Sequence, residues 1–290
     1  MANIKGASFI QQENSMHHLL KAFGVSRHFN RDDRLTHSEE LAKKRRMYIK
    51  DFIENATDQK LSGKLNTHMG DYKVVKDFLL KRITHMCKKT SGDYVSGISS
   101  MFTGLVLKNI SISDDGFQAI EDVRALVKEM PEEEFRTGRF IINTKQVLNR
   151  LFDKNFESGV LGQIQKETGF RISEAYKFVE NPEKYLVGNT IVGLIGKSRH
   201  MYGEKKISND LIQKLSGVEK LPTQHTYSRH LKFATLDDEA IPHDWRVTYA
   251  KAEFDKRIAK GMSRNQALRE VSIQINHFRI EMTEYYLLRA

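Results

Sequence analysis

Apolar residues in the first 130 positions recur with helical spacing, and polar residues fill the positions between them. One helix is expected to begin near Thr36, with Thr36 or Ser38 as its N-cap, and another is expected to begin at Ser15. The chain contains only 4 prolines, which also favours helix. Further helices are expected over residues 71–88, 92–108 and 114–129.

The pattern changes after a polar, proline-containing stretch at residues 131–138, which is typical of a linker. Helices are expected on its far side, including one over residues 161–178. From Tyr185 onward, β-branched residues and the turn signal Gly188-Asn189 predict a hairpin, whose loop carries Lys197, Arg199 and His200. The expected fold class is therefore mainly α with a small antiparallel β-sheet, divided into domains at 1–130 and 139–290.

The charge balance favours a polyanionic partner. The chain has 47 Lys+Arg against 37 Asp+Glu, a formal net charge of +10, and this excess is spread along the sequence. A merely basic protein would show the same balance. One basic run is a candidate for phosphate contacts, although helical spacing scatters it around the cylinder and part of it must face solvent. It consists of Lys43, Lys44, Arg45 and Arg46.

Several classes of protein are disfavoured. The single cysteine, Cys87, excludes an intramolecular disulfide framework and a cysteine-based zinc site. No segment approaches the ~18 consecutive apolar residues of a membrane span, and the N-terminus lacks a secretory pattern. We therefore expect a cytoplasmic protein with no membrane partner and no metal. The scattered histidines, which lack metal-ligand spacing, are expected at the surface or at caps; they are His17, His18, His225 and His230.

Three fragments carry candidate chemistry in a fixed order: TGFRISEA at 168–175, HDWR at 243–246 and HFRIEMTEYY at 277–286. Two of their arginines (Arg171 and Arg246), both histidines and the tyrosine that ends the last fragment are the candidates. A guanidinium offers a fork of donors that matches a phosphate, and its charge persists at any relevant pH. A tyrosine has a pKa of about 10, so it needs a base and cationic surroundings before it can attack a phosphodiester.

These fragments resemble the conserved boxes of the tyrosine recombinase (phage integrase) family, over roughly residues 137–288. The resemblance implies a helical core-type DNA-binding domain followed by a catalytic domain. It also implies that Tyr286 attacks the scissile phosphate to form a 3′-phosphotyrosyl bond. Arg171 and Arg246 would hold the non-bridging oxygens, and Lys197 would protonate the departing 5′-oxygen. His243 would accept the tyrosine proton, and His277 would hydrogen-bond the phosphate. Glu174 would orient an arginine.

Some assignments compete or depart from the family pattern. Tyr285 is a rival nucleophile, although the spacing from His277 favours Tyr286. Lys205 and Lys206 lie in the same hairpin as Lys197. Asn276 stands where the family usually has glycine before the histidine, and it can still adopt a left-handed turn. Trp245 replaces a commoner aliphatic residue, and it is expected to pack into the core or under the second histidine.

The resemblance implies a partner and an outcome. The partner would be double-stranded DNA with a specific recombination site, bound by a homotetramer in the synaptic complex, with an accessory DNA-bending or directionality factor as a further candidate. Neither a metal nor ATP would be required. The outcome would be integration, excision or resolution of a mobile element in the nucleoid. The alternatives are a non-catalytic DNA-binding or architectural protein with this fold, and a type IB topoisomerase-like enzyme. Candidate DNA contacts are Lys43, Lys44, Arg45, Arg46 and Arg199.

Overall fold

The chain forms two compact units, Met1–Glu134 and Phe135–Ala290. The structure, a computed structural model, describes residues 9–23, 35–55, 65–132, 139–196 and 200–290. Lys197 and Arg199, two of the predicted site residues, lie outside these ranges. None of the helices in the described ranges combines the length and the apolar character that crossing a membrane requires.

Unit 1 is helical in its described parts. Its centre is the long helix α5, which contacts α1, α2, α4 and α6 and buries Ile98, Phe102 and Leu105. The elements are α1 (Phe9–Leu19), α2 (Glu39–Asn55), α3 (Leu65–Gly70), α4 (Tyr72–Ile83), α5 (Lys88–Leu107) and α6 (Asp114–Glu129).

The helix starts in unit 1 only partly follow the sequence prediction. Ser38 Oγ accepts a hydrogen bond from the Leu41 amide at 3.2 Å, as expected of a cap for α2. Helix α1, however, already begins at Phe9 and not at Ser15. The scattered histidines were expected at the surface or at caps, and this expectation was wrong for His17, which is buried within α1. Helix α1 packs against α5 and buries Met16.

Unit 2 combines nine helices in its described residues with one small sheet. Strands β1, β2 and β3 pair antiparallel in that order, with Val187 opposite Thr190 and Ile191 opposite Lys205. The elements are α7 (Thr144–Lys154), α8 (Phe156–Thr168), α9 (Ile172–Val179), α10 (Pro182–Tyr185), β1 (Leu186–Val187), β2 (Thr190–Ile191), β3 (Lys205–Lys206), α11 (Asn209–Leu215), α12 (Gln224–Thr235), α13 (Asp244–Ala259), α14 (Arg264–Gln274) and α15 (Ile280–Arg289). The predicted fold class, mainly α with a small antiparallel sheet, is confirmed.

The core of unit 2 surrounds α8, which packs against α7, α9 and α13. Trp245 on α13 is fully buried in this core, which confirms its predicted packing. The prediction of a single helix over 161–178 was wrong, because α8 ends before Gly169 and α9 begins after Arg171. Gly169 has φ +70°, and an added Cβ would lie 2.4 Å from Cδ1 of Tyr249. Only glycine fits this position, and the break places Arg171 at the start of α9.

Candidate active site

Tyr286 lies beside the two histidines predicted to work with it. Its side chain, on α15, is 3% exposed. The Tyr286 hydroxyl is 2.8 Å from Nε2 of His277, which lies in the loop between α14 and α15. The His243 ring, at the start of α13, meets the Tyr286 ring edge-on with centroids 5.2 Å apart. We call Arg171, His243, Arg246, His277 and Tyr286 the tyrosine site.

Two donors converge on the same nitrogen of His277. Besides the tyrosine hydroxyl, Nη2 of Arg171 lies 3.2 Å from Nε2. Burial, followed by the positive charge of Arg246 and Arg171, lowers the pKa of His277 to about 3. The imidazole is therefore neutral at physiological pH. Because a guanidinium can only donate, Nε2 is the acceptor and the ring proton is on Nδ1.

Glu174 connects the two arginines of the site. Its carboxylate accepts hydrogen bonds from Nη1 of Arg171 at 2.9 Å and from the Arg171 amide at 2.8 Å. It also accepts a 2.6 Å bond from Tyr202 and lies 4.0 Å from Nη1 of Arg246. Burial opposes ionisation of Glu174, but the Tyr202 hydroxyl and the Arg171 guanidinium outweigh it and lower the pKa of the carboxyl group. The carboxylate therefore stays charged and fixes the direction of Arg171.

Arg246 is fully buried and is held largely by neutral oxygens. Its Nη1 donates to the Gly169 carbonyl at 2.6 Å and to the Tyr202 hydroxyl at 3.1 Å, and its Nη2 donates to the Ile275 carbonyl. Its Nε has no hydrogen-bond partner within the part of the chain that the structure describes. A buried donor without a partner costs about 1–3 kcal/mol, so this guanidinium is incompletely satisfied.

Asp244 fixes the start of α13, where His243 and Arg246 lie. The Asp244 carboxylate accepts from the Ile241 amide at 2.9 Å and from Nε of Arg139 at 3.2 Å. These contacts hold the first turn of the helix, so the two residues on that turn have a defined direction. The partial positive charge of a helix N-terminus adds to that of the arginines.

The loop around His277 has an unusual backbone. Asn276 and Phe278, on either side of His277, have φ +58° and +55°. The expected left-handed turn at Asn276 is confirmed, and its Nδ2 donates to the His200 carbonyl at 2.8 Å. An added Cβ on Gly196 would lie 2.8 Å from that Nδ2 and 2.9 Å from Oε1 of Glu174. The hairpin end next to Lys197 therefore packs closely against the tyrosine site.

Two residues near the site, Tyr202 and Lys205, make contacts that the sequence did not predict. Tyr202 bridges Glu174 and Arg246, and burial raises its pKa to about 12. Lys205 is buried on β3 and contacts Tyr249. A tyrosine and a lysine in a hairpin carry no local signal for such contacts, because both partners come from distant segments.

The basic run on α2 divides into exposed and buried members. Lys43 and Lys44 are exposed, and Nζ of Lys44 lies 3.6 Å from Asp93. Arg46 is exposed and donates to Asn14. Arg45 is 7% exposed and donates to Thr36 Oγ1 at 2.7 Å, which corrects its assignment as a DNA contact. Helical rotation turned this member of the run toward the core.

The fold is similar to that of a known recombinase. XerH site-specific recombinase, bound to a palindromic difH substrate in a post-cleavage complex, superposes with a TM-score of 0.56 and 16% sequence identity, covering 84% of this chain and 75% of XerH. The match to XerA recombinase covers 96% of this chain and 93% of XerA, with 9% sequence identity and a TM-score of 0.39. No protein-family model matches the sequence, and no curated protein matches it significantly. The likeness to XerH shows that the two chains share a fold.

Proposed function

We propose that this protein is a site-specific tyrosine recombinase, which cleaves and rejoins DNA through a covalent bond between Tyr286 and a 3′-phosphate. One observation carries the proposal: the Tyr286 hydroxyl, a neutral imidazole and a guanidinium meet at Nε2 of His277. The similarity to XerH, which was captured with a palindromic substrate after cleavage, supports it. We assign catalysis to residues 139–290 and DNA binding to residues 1–130.

The two arginines of the site are the groups that would bind a phosphodiester. Arg246 is buried with an unpaired Nε, and Arg171 is turned toward His277 by Glu174. A phosphate oxygen would satisfy the unpaired donor. In the transition state, negative charge grows on the non-bridging oxygens, and fixed cations beside them lower the barrier.

The reaction exchanges one phosphate ester for another. The Tyr286 oxygen bonds to phosphorus, the bond to the 5′-oxygen breaks, and Lys197 gives that oxygen a proton. Rejoining reverses these steps, with the 5′-hydroxyl as the attacking group. The phosphotyrosyl bond retains the energy of the original ester, so the cycle requires no ATP, and the arginines supply the charge stabilisation for which other enzymes use a metal ion.

The two histidines would act in succession. His277 accepts the hydrogen bond from the Tyr286 hydroxyl. The same Nε2 cannot accept from Tyr286 and also donate to a phosphate oxygen. The rings of His243 and His277 both lie 5.2 Å, centroid to centroid, from the Tyr286 ring. Binding of a phosphate at His277 and Arg171 would therefore release the hydroxyl from His277, with the His243 imidazole still beside it. We assign the removal of the hydroxyl proton to His243.

The biological role follows from the chemistry. Recombination joins two DNA sites, so we propose a synaptic homotetramer, with an accessory DNA-bending or directionality factor as a further partner. Lys43, Lys44 and Arg46 on α2 would contact phosphates from unit 1. The recombination event would be integration, excision or resolution of a mobile element. The protein would be cytoplasmic and associated with the nucleoid.

A suicide substrate tests the proposal. A duplex carrying the recombination site, nicked beside the scissile phosphate, loses the fragment with the 5′-hydroxyl and traps the covalent intermediate. The unsubstituted protein should give an adduct on a denaturing gel, and so should the matched control Tyr285→Phe. Tyr286→Phe should give none. An adduct that persists in Tyr286→Phe contradicts the nucleophile, and binding of the site without any adduct would favour a non-catalytic DNA-binding protein.

A further inference from the structure

Lys205 is a buried amine next to the tyrosine site. Its side chain, on β3, is 4% exposed. Nζ lies 3.0 Å from the Tyr249 hydroxyl and 4.8 Å from the centre of the Tyr249 ring. No ion pair joins Lys205 to a carboxylate among the described residues. A buried charge without a counterion is costly, so these surroundings favour the uncharged amine.

The hydrogen bonds of Tyr249 agree with an uncharged amine. Nε2 of Gln274 donates to the Tyr249 oxygen. The Tyr249 hydrogen then needs an acceptor, and a neutral Lys205 nitrogen provides one. An ammonium group would instead be a second donor to the same oxygen, and the hydroxyl hydrogen would lose its partner.

Lys205 is connected to Arg246 through two residues, Tyr249 and Gly169. The Tyr249 ring packs against Gly169, whose carbonyl accepts from Nη1 of Arg246 at 2.6 Å. The charged groups that act on Lys205 are Arg246, Glu253 and Arg257, all on α13. Burial, then repulsion from Arg246, lowers the pKa of Lys205 to about 7, with Glu253 opposing the shift and Arg257 adding to it.

We propose that Lys205 is a positioning residue of the tyrosine site: its amine is uncharged in the free protein and takes a proton from solvent when a phosphodiester binds at Arg246. This inference rests on the proposed function, which supplies the phosphodiester. The bound anion cancels part of the repulsion between Arg246 and a lysine ammonium. The new ammonium then adds positive charge behind Arg246 as negative charge grows on the phosphate oxygens.

Proton uptake on DNA binding tests the proposal. Tyr286→Phe protein, which binds without cleaving, is titrated calorimetrically at pH 8 with a duplex carrying the recombination site, in buffers of different ionisation enthalpy. Lys205→Met in this background should reduce the uptake by up to about one proton per protein. Lys206→Met is the matched control: Lys206 is the exposed neighbour on the same strand, and its loss should leave the uptake unchanged.

The outcomes separate this inference from the proposed function. Equal uptake with and without Lys205 refutes the role of Lys205 and leaves the recombinase proposal standing. Absence of duplex binding by the parent protein refutes both. The pH profile of adduct formation with Tyr286 intact gives a second measure: Lys205→Met should flatten the decline of the rate above neutral pH, and an unchanged profile contradicts the inference.

Discussion

Tyr285 and Tyr286 are adjacent in sequence but have different surroundings. The Tyr286 side chain is buried in the cluster that contains Val247 and Val271, and its hydroxyl is hydrogen-bonded to His277. Tyr285 is only partly buried, at the edge of the same cluster. On a helix, neighbouring side chains point about 100° apart, so only one of the two can face the histidines. This geometry supports Tyr286 as the attacking residue.

The two histidines should differ when each is removed. We predict that His243→Ala slows adduct formation by about 10²-fold or more, because the tyrosine loses its base. His277→Ala should cost less, because Arg171 and Arg246 still hold the phosphate. Single-turnover cleavage of the suicide substrate measures both rates. A larger loss for His277→Ala would move the base assignment to His277.

The residues of the tyrosine site could be predicted from the sequence because they lie in short motifs that occur in a recognisable order and spacing. Arg171, Arg246, His277 and Tyr286 meet in the structure as their fragments implied. The contacts of Tyr202 and Lys205 could not be predicted in this way. Each depends on a partner far away in the chain: Glu174 for Tyr202 and Tyr249 for Lys205. The residues next to a single tyrosine or lysine in the sequence do not indicate which distant residue it will contact.

At the scale of elements, the break between α8 and α9 decides where Arg171 points. The sequence predicted one continuous helix here, because apolar spacing continues across 161–178. The left-handed φ of Gly169 favours glycine, and the tertiary contact with Tyr249 leaves no room for any other side chain. Helix existence was predictable from local periodicity, whereas this boundary was set by packing between α8 and α13.

We predict that Gly169→Ala destabilises unit 2 by about 2–4 kcal/mol, since it adds a steric clash to an unfavourable left-handed φ. Gly188→Ala is the matched control, because Gly188 also has positive φ (+60°) but no atom within 4 Å of an added Cβ. It should cost only about 1 kcal/mol. Denaturant unfolding measures both, and equal losses would mean that the Tyr249 contact is not tight.

Helix α1 carries an acid-sensitive group. His17 is buried, and burial, then Arg46 and Lys21, lowers its pKa to about 4. Below the unfolded value of about 6.5, only the unfolded chain takes up the proton, so stability falls as pH drops from 6.5 toward 4. We predict that His17→Leu reduces this loss by on the order of 1–2 kcal/mol at pH 4.5. Unfolding of unit 1 at pH 7.5 and pH 4.5 checks it, and an unchanged pH dependence would contradict it.

At the scale of the whole molecule, the formal charge of +10 predicts DNA affinity that falls steeply with salt. Lys43→Gln, on α2, should lower the slope of log affinity against log salt by about 1 if Lys43 neutralises a phosphate. Lys128→Gln is the matched control, because it removes the same charge from an exposed site on α6. Equal slopes for the two variants would remove Lys43 from the DNA-binding surface.

The central claim is that Tyr286 forms a covalent bond with DNA, and mass spectrometry of the trapped adduct tests it most directly. Trypsin cuts after Arg279 and Arg289, so the peptide IEMTEYYLLR contains both adjacent tyrosines. After nuclease digestion of the DNA, fragmentation of this peptide should place a 3′-linked nucleotide on Tyr286. A nucleotide on Tyr285, or on a residue outside this peptide, would contradict the account.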